Sequence, residues 1–368
     1  MQRSRITQIT LTGVAFLIIA FAMASGPPAW AQVRPATLAD SQEPGSVIVF
    51  PKFIRGNVAP DGVTTPKTEF EVGVVCPKGV TCTEQQKVKI RFHYVCGTTE
   101  SDISGSFVCK ETDFEAQTTV NGKLIFNPEG APPGNFITPI PQCQRGYLIG
   151  WVENTSDSAI KFDGLIGDAV LRESDTAVSA YNAIPIQAGF LVPPGAVIAA
   201  PTEGLFFNGE QYQAVTGVIF GDVTYDRPLG AASPKATTLT LLTLDVRSDR
   251  PNNPTFVDIN FYNAQEALLS TSTEFICWGE RRLSDIDANL TGAGMGSRKG
   301  VFVAGPAEKV RFLGIDDSSG PATLLGLVET LEGPTLTERQ YTYGVFNDSV
   351  PVPTAFFPSG SATGPTGP

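Results

Sequence analysis

Asp222 and Asp226 flank Val-Thr-Tyr, and Asp285 and Asp287 stand on either side of Ile286. In a strand, residues two or four apart share a face, so each pair can bring two carboxyl groups together. Two carboxyls about 5 to 9.5 Å apart are what glycoside hydrolysis requires. Carboxylate clusters, among them Asp316-Asp317 ahead of Ser318-Ser319-Gly320, also suit a hard cation such as Ca²⁺. None has the EF-hand spacing or that of a glycine-rich calcium repeat, and turns and solvated faces account for them more simply. His93 is the only histidine, which confines Ser-His-Asp or Cys-His chemistry to one residue. It lies in mid-strand beside Lys89 and Arg91, where a solvated or hydrogen-bonded surface imidazole is expected. The chain has no H-E-x-x-H, G-x-S-x-G, P-loop or C-x-x-C-H motif, so no metal, haem or nucleotide cofactor is expected.

Cysteine offers the other chemistry. Cys76, Cys82, Cys96, Cys109, Cys143 and Cys277 make an even set, which in an oxidising compartment reads as disulfides. Short loops favour Cys76 with Cys82 and Cys96 with Cys109. Cys143 and Cys277 then remain, to bridge two halves of the chain, to link separate molecules, or to stay as buried thiols. Zinc is not expected, because there is no C-x-x-C and one imidazole.

Aromatic side chains are the third candidate. Tyr181, Phe206, Phe207, Tyr212 and Tyr225 fall in or near a loop-rich stretch, where exposed rings stack on a sugar or dock a protein. Ordinary core packing is the plainer account of them.

The elements that must position these residues read as strands. Phe is frequent at 23 residues, and Gly and Pro number 37 and 29, which suits short strands joined by tight turns. Residues 87–96 carry the clearest pattern: Val88, Ile90, Phe92, Tyr94 and Cys96 on one face, Lys87, Lys89, Arg91 and His93 on the other. Residues 46–54 form a strand broken by Pro51, which points to an edge position. Asn121-Gly122 reads as a hairpin turn between 118–120 and 124–126, and Asn154 to Ser158 as a polar turn. Later strands are expected near 215–223, 237–246, 256–262, 272–278, 300–303, 322–330 and 341–346. No segment keeps a helical period.

Arg3 and Arg5 precede the apolar run 11–23, which leads to Ala29-Trp30-Ala31. This reads as a signal peptide over 1–31, cleaved after Ala31, its apolar run being too short to span a bilayer. Losing those two arginines takes the formal charge from −11 to −13. So acidic a chain is a poor ligand for nucleic acid or anionic lipid. The length exceeds what one core serves. Residues 32–45 read as a flexible leader, 46–185 as a first antiparallel β-sandwich, and 186–234 as a crossing segment. Residues 235–357 read as a second sandwich and 358–368 as a disordered tail. Three echoes in the same order support tandem duplication: 88–94 with 257–263, 146–150 with 300–304, and 164–167 with 322–326.

The fold class expected is therefore all-β, two tandem antiparallel sandwiches of immunoglobulin-like or jelly-roll-like kind. The function expected is that of a secreted, non-catalytic surface, structural or adhesion protein. Its partners would be itself, other cell-surface or matrix components, or a glycan, with strand addition at 47–54 as one mode of self-assembly. The alternative is an extracellular carbohydrate-active hydrolase using paired carboxylates.

Overall fold

A computed structural model describes residues 39–356, apart from 40–41, 57–66, 98–108, 131–133, 135, 173–177, 217, 224–234, 245–254, 263–267, 288–307, 317–323, 333–336, 344–350 and 353. The signal peptide, the tail, Tyr225, Asp226, Asp317 and the echo at 300–304 lie outside the described residues. Described residues from 39 onward belong to one compact unit, and it is almost entirely antiparallel β.

The strands run β1 (Val47–Ile54), β2 (Thr68–Val74), β3 (Lys87–Cys96), β4 (Glu111–Thr119), β5 (Lys123–Phe126), β6 (Arg145–Glu153), β7 (Ala159–Ile160), β8 (Leu165–Arg172) and β9 (Val178–Asn182). Next come β10 (Ile184–Ile186), β11 (Val197–Ala199), β12 (Leu205–Phe207), β13 (Val215–Thr216) and β14 (Val218–Val223). Then follow β15 (Lys235–Leu242), β16 (Thr255–Tyr262), β17 (Leu268–Phe275), β18 (Trp278–Arg282) and a one-turn helix, α1 (Leu283–Ile286). The chain closes with β19 (Glu308–Asp316), β20 (Leu325–Glu332), β21 (Thr337–Tyr343), β22 (Pro351–Val352) and β23 (Thr354–Phe356).

The first sheet pair has the order β10-β1-β6-β3-β4, extended by β7 and β11, facing β5-β2-β8-β9. Phe50, Phe70, Phe92, Tyr94, Phe114 and Phe126 fill the space between them. The second pair has the orders β14-β19-β16-β17 and β18-β15-β20-β21. Setting β1, β6, β3, β4 beside β14, β19, β16, β17, and β5, β2, β8, β9 beside β18, β15, β20, β21, gives the same order twice. The turn from one sheet to the other repeats as well. Asn121, between β4 and β5, and Cys277, between β17 and β18, both take left-handed backbone, with φ of 63° and 61°. The echo of 88–94 falls on the equivalent strands β3 and β16, and that of 164–167 on β8 and β20. The counterpart of β6 is β19, while the echo of 146–150 at 300–304 falls on residues outside those described.

Three expectations change. β1 is no edge strand: it lies between β10 and β6, every residue of it is buried, and Pro51 sits in a register shift between Phe50 and Phe53. A bulge needs no ladder donor from its extra residue, so proline fits there. Over 47–49 β1 has a strand on each side and no open edge. Asn121-Gly122 does turn the chain, but β4 pairs with β3 and β5 with β2, so it joins two sheets rather than one hairpin. The leader is not loose where it is described, since Ala39 is buried and donates to the Ala214 carbonyl at 3.1 Å.

The outer face of the large sheet is covered too. Val47, Tyr147, Ile149 and Trp151 pack under Leu205, Phe207, Tyr212 and Phe356 from the crossing and C-terminal segments, and under Leu242, Trp278 and Leu325 from the second sheet pair.

Candidate functional site

Lys52 protrudes from the bulge in β1 at the junction of the two sheet pairs and is fully buried. Its Nζ donates to Glu329 Oε2 at 2.5 Å and to Glu280 Oε1 at 2.6 Å, the first on β20 and the second on β18. Arg145, at the start of β6, pairs with the other oxygen of Glu280. Burial raises the pKa of Glu280, but the charges of Lys52 and Arg145 outweigh it and hold this carboxyl below its ordinary value. Tyr181 donates its hydroxyl to the Lys52 carbonyl, and Trp278 Nε1 donates to the Pro51 carbonyl at 2.8 Å. Two cations against two carboxylates make this a closed clamp between the sheet pairs.

A second charged group lies on the outer face of β3, β4 and β6. Lys89 is paired with Glu115 at 2.9 Å, Glu153 at 3.5 Å and Asp157. Arg91 is paired with Asp113 at 3.0 Å, Glu153 at 3.2 Å and Glu115. Glu115, Glu153 and Asp157 bring carboxylate oxygens close enough for a metal ion. The Lys89 ammonium already stands among them; burial lowers its pKa, but its hydrogen bonds to Asp157 and Glu115 outweigh this and hold it above the ordinary value. Burial lifts the pKa of Glu153 despite Arg91 and Lys89. The wet, basic face expected for β3 is therefore a ladder of compensated charge.

His93 departs from the surface position expected for it, being 3% exposed. Its ring stacks on Trp151 at 4.8 Å and meets the edge of Phe356 at 5.7 Å, and Nδ1 lies 3.0 Å from Glu111 Oε2. Polar alternation along β3 could not reveal this, because the cover comes from a strand over 250 residues later in the chain.

All six cysteines are bridged. Cys76–Cys82 is as expected, while the other pairs are Cys96–Cys143 and Cys109–Cys277. The short-loop argument failed for Cys96 because β3 and β6 pair with Cys96 opposite Gly146, which carries Cys143 to it. Cys109–Cys277 joins the two sheet pairs, closing a loop worth about 5 kcal/mol in the chain-entropy model.

Among the aromatic candidates, Tyr181, Phe207 and Tyr212 are buried and Phe206 is half-buried. Asp285 lies on α1 and Asp287 follows it, so the shared strand face that would align them does not exist. Asp222 lies on β14, opposite Lys309 in register.

What the sequence reading missed is an apolar finger. Within the crossing segment, Phe190 and Leu191 are 70% and 88% exposed at a turn tip. Gly189 accepts from Val192 N at 3.0 Å and from Lys161 Nζ at 3.0 Å. The far limb is fixed by Gly195 N to the Lys161 carbonyl and Lys161 N to the Ala196 carbonyl, each 2.9 Å. Backbone hydrogen bonds thus fix both limbs of the turn that carries these two exposed side chains. An apolar run abutting Pro193-Pro194-Gly195 was the available signal.

No protein-family model matches the chain, and no curated protein sequence matches it. A solved structure of Ruminococcus gnavus β-glucuronidase in complex with uronic isofagomine is 10% identical at a TM-score of 0.13, over 85% of this chain and 38% of that one. A viral chemokine binding protein of rodent gammaherpesvirus Peru is 12% identical at a TM-score of 0.11, over 86% of this chain and 88% of that one. Likenesses so distant carry no argument.

Proposed function

We propose that this chain is a secreted, non-catalytic contact protein that holds a protein partner at or near the cell surface through its apolar finger. The observation that carries this reading is the exposure of Phe190 and Leu191 on a turn fixed by hydrogen bonds from both limbs. Apolar tips ordered before binding lose little entropy on docking, which suits a contact element. Three disulfides suit an oxidising, extracellular setting, and among the described residues no helix is long and apolar enough to cross a membrane. The charged clusters are internally compensated, and the acidic chain favours a protein surface over anionic lipid.

The test replaces Phe190 and Leu191 together with serine and follows the protein on producing cells. The expected result is at least a tenfold fall in surface retention, with an unchanged circular dichroism spectrum. Equal retention would overturn the finger's role. Turnover of a glycoside, lost on changing one acidic side chain, would overturn the non-catalytic reading.

A further inference from the structure

We propose that Lys52 condenses with Glu329, so that an amide bond from Nζ to the Glu329 carboxyl carbon joins the two sheet pairs. This is a modification of the folded chain and stands independently of the finger.

The two groups are buried and held against each other. Their side chains are 1% and 4% exposed, and Nζ lies 2.5 Å from Glu329 Oε2. A carbon–oxygen bond adds about 1.2 Å at most. The carboxyl carbon is therefore within about 3.7 Å of the nitrogen, near the roughly 3 to 3.5 Å of a near-attack pair. Neither partner can drift. Lys52 belongs to β1, which pairs with β6 on both sides of the bulge, and Glu329 to β20, an inner strand between β15 and β21. Tyr181 and Trp278 pin the Lys52 and Pro51 carbonyls. Groups fixed in this way react as though at very high concentration.

Glu280 supplies a proton relay. Its Oε1 is 2.6 Å from Nζ, and Arg145 holds its other oxygen. Arg145 secures Glu280 as the ionised partner. Glu329, more deeply buried at 4% against 16% exposed, is then the carboxyl that takes a proton. Glu280 passes one proton from the ammonium to Glu329, which leaves a neutral amine facing a neutral carboxyl. The nitrogen lone pair forms the bond to carbon. As the tetrahedral centre collapses, Glu280 carries a second proton from nitrogen to the departing hydroxyl, which leaves as water. One ammonium and one carboxylate thus become one amide and one water, and no further reactant enters. Glu280 ends as a carboxylate, still paired with Arg145. Condensation removes two charges from a buried site, and exclusion of solvent opposes hydrolysis. The product ties residues 277 apart in the chain by a bond that reductant does not open. The ionic clamp is its precursor and persists in every chain that has not condensed.

The test takes the full secreted chain from producing cells, reduces its disulfides and measures intact mass, then maps its proteolytic peptides. The expected result is a mass one water below that of the sequence, with a branched peptide in which Lys52 is joined to Glu329. Lys52→Arg, which keeps the positive charge, should have the full mass. Glu280→Gln should acquire the link about a hundredfold more slowly in pulse-labelled chains, both variants keeping the circular dichroism spectrum of the wild type. Full mass in folded wild type, with all three disulfides formed before reduction, overturns the proposal however the variants fold. Water lost without the branched peptide overturns it too, and a link from Lys52 to Glu280 overturns the roles given to the two acids. Unchanged linking in Glu280→Gln overturns the relay.

Discussion

Lys52 is a buried cation held by two carboxylates. Replacing it with methionine would leave Glu329 and Glu280 sharing a buried site with Arg145 as the remaining cation. Breaking a buried pair from one side typically costs about 3 to 5 kcal/mol, because the orphaned charge has lost its water as well as its partner. Lys52→Met should therefore shift the urea midpoint sharply downward, and adding Glu329→Leu should recover most of the loss, since Arg145 and Glu280 still neutralise each other. A double variant no better than the single one would show that packing rather than charge sets the cost. The pH dependence has a definite sign. Glu280 is held below its usual 4.5 in the folded chain, so its contribution is present above 4.5 and lost as pH falls through the folded value. The gap in stability between wild type and Glu280→Gln should be full at pH 7 and close below about 4.5. Glu153 acts in the opposite sense: its raised pKa means stability is lost as pH rises from 4.5 through the folded value.

At the scale of elements, close approach between strands decides what the sequence tolerates. A Cβ on Gly146 of β6 would lie 2.1 Å from the Val95 carbonyl oxygen, a backbone atom that cannot rotate away. Gly146→Ala should lower stability by about 3 kcal/mol or more, whereas Gly79, whose Cβ position is open, pays only for its left-handed φ of 78°. Comparing their denaturation midpoints separates a steric clash from backbone conformation. Legibility in the sequence follows the same physics. β3 was plain because Val88, Ile90, Phe92 and Tyr94 alternate with charges across one half-buried sheet. β19 was missed because Glu308, Lys309, Arg311 and Asp316 dilute its apolar pattern, although it is an inner strand of a four-stranded sheet, paired with β14 and β16. β1 was misjudged because Pro51 signals lost pairing without saying whether a bulge absorbs it. The disulfides other than Cys76–Cys82 depend on which strands pair, which loop length does not encode. The His93 seat depends on what covers a face, and part of that cover, Phe356, comes from a segment remote in sequence.

For the molecule as a whole, the question is whether its two sheet pairs behave as one cooperative body. Two copies of one strand order would ordinarily melt separately. Here one apolar cluster runs through both, with Val47, Tyr147 and Ile149 from the first pair against Leu242, Trp278 and Leu325 from the second. The Lys52 clamp and Cys109–Cys277 cross the same junction. Neither pair can open without exposing part of that cluster, so calorimetry of the oxidised protein should give one transition, with calorimetric and van't Hoff enthalpies in agreement. Replacing Cys109 and Cys277 with serine removes the loop constraint, and adding Lys52→Met weakens the remaining junction. That triple variant should show two transitions, the lower carrying the second pair, which lacks the internal bridges Cys76–Cys82 and Cys96–Cys143. Two transitions already present in the oxidised wild type would mean that the shared cluster joins the pairs too weakly to couple them.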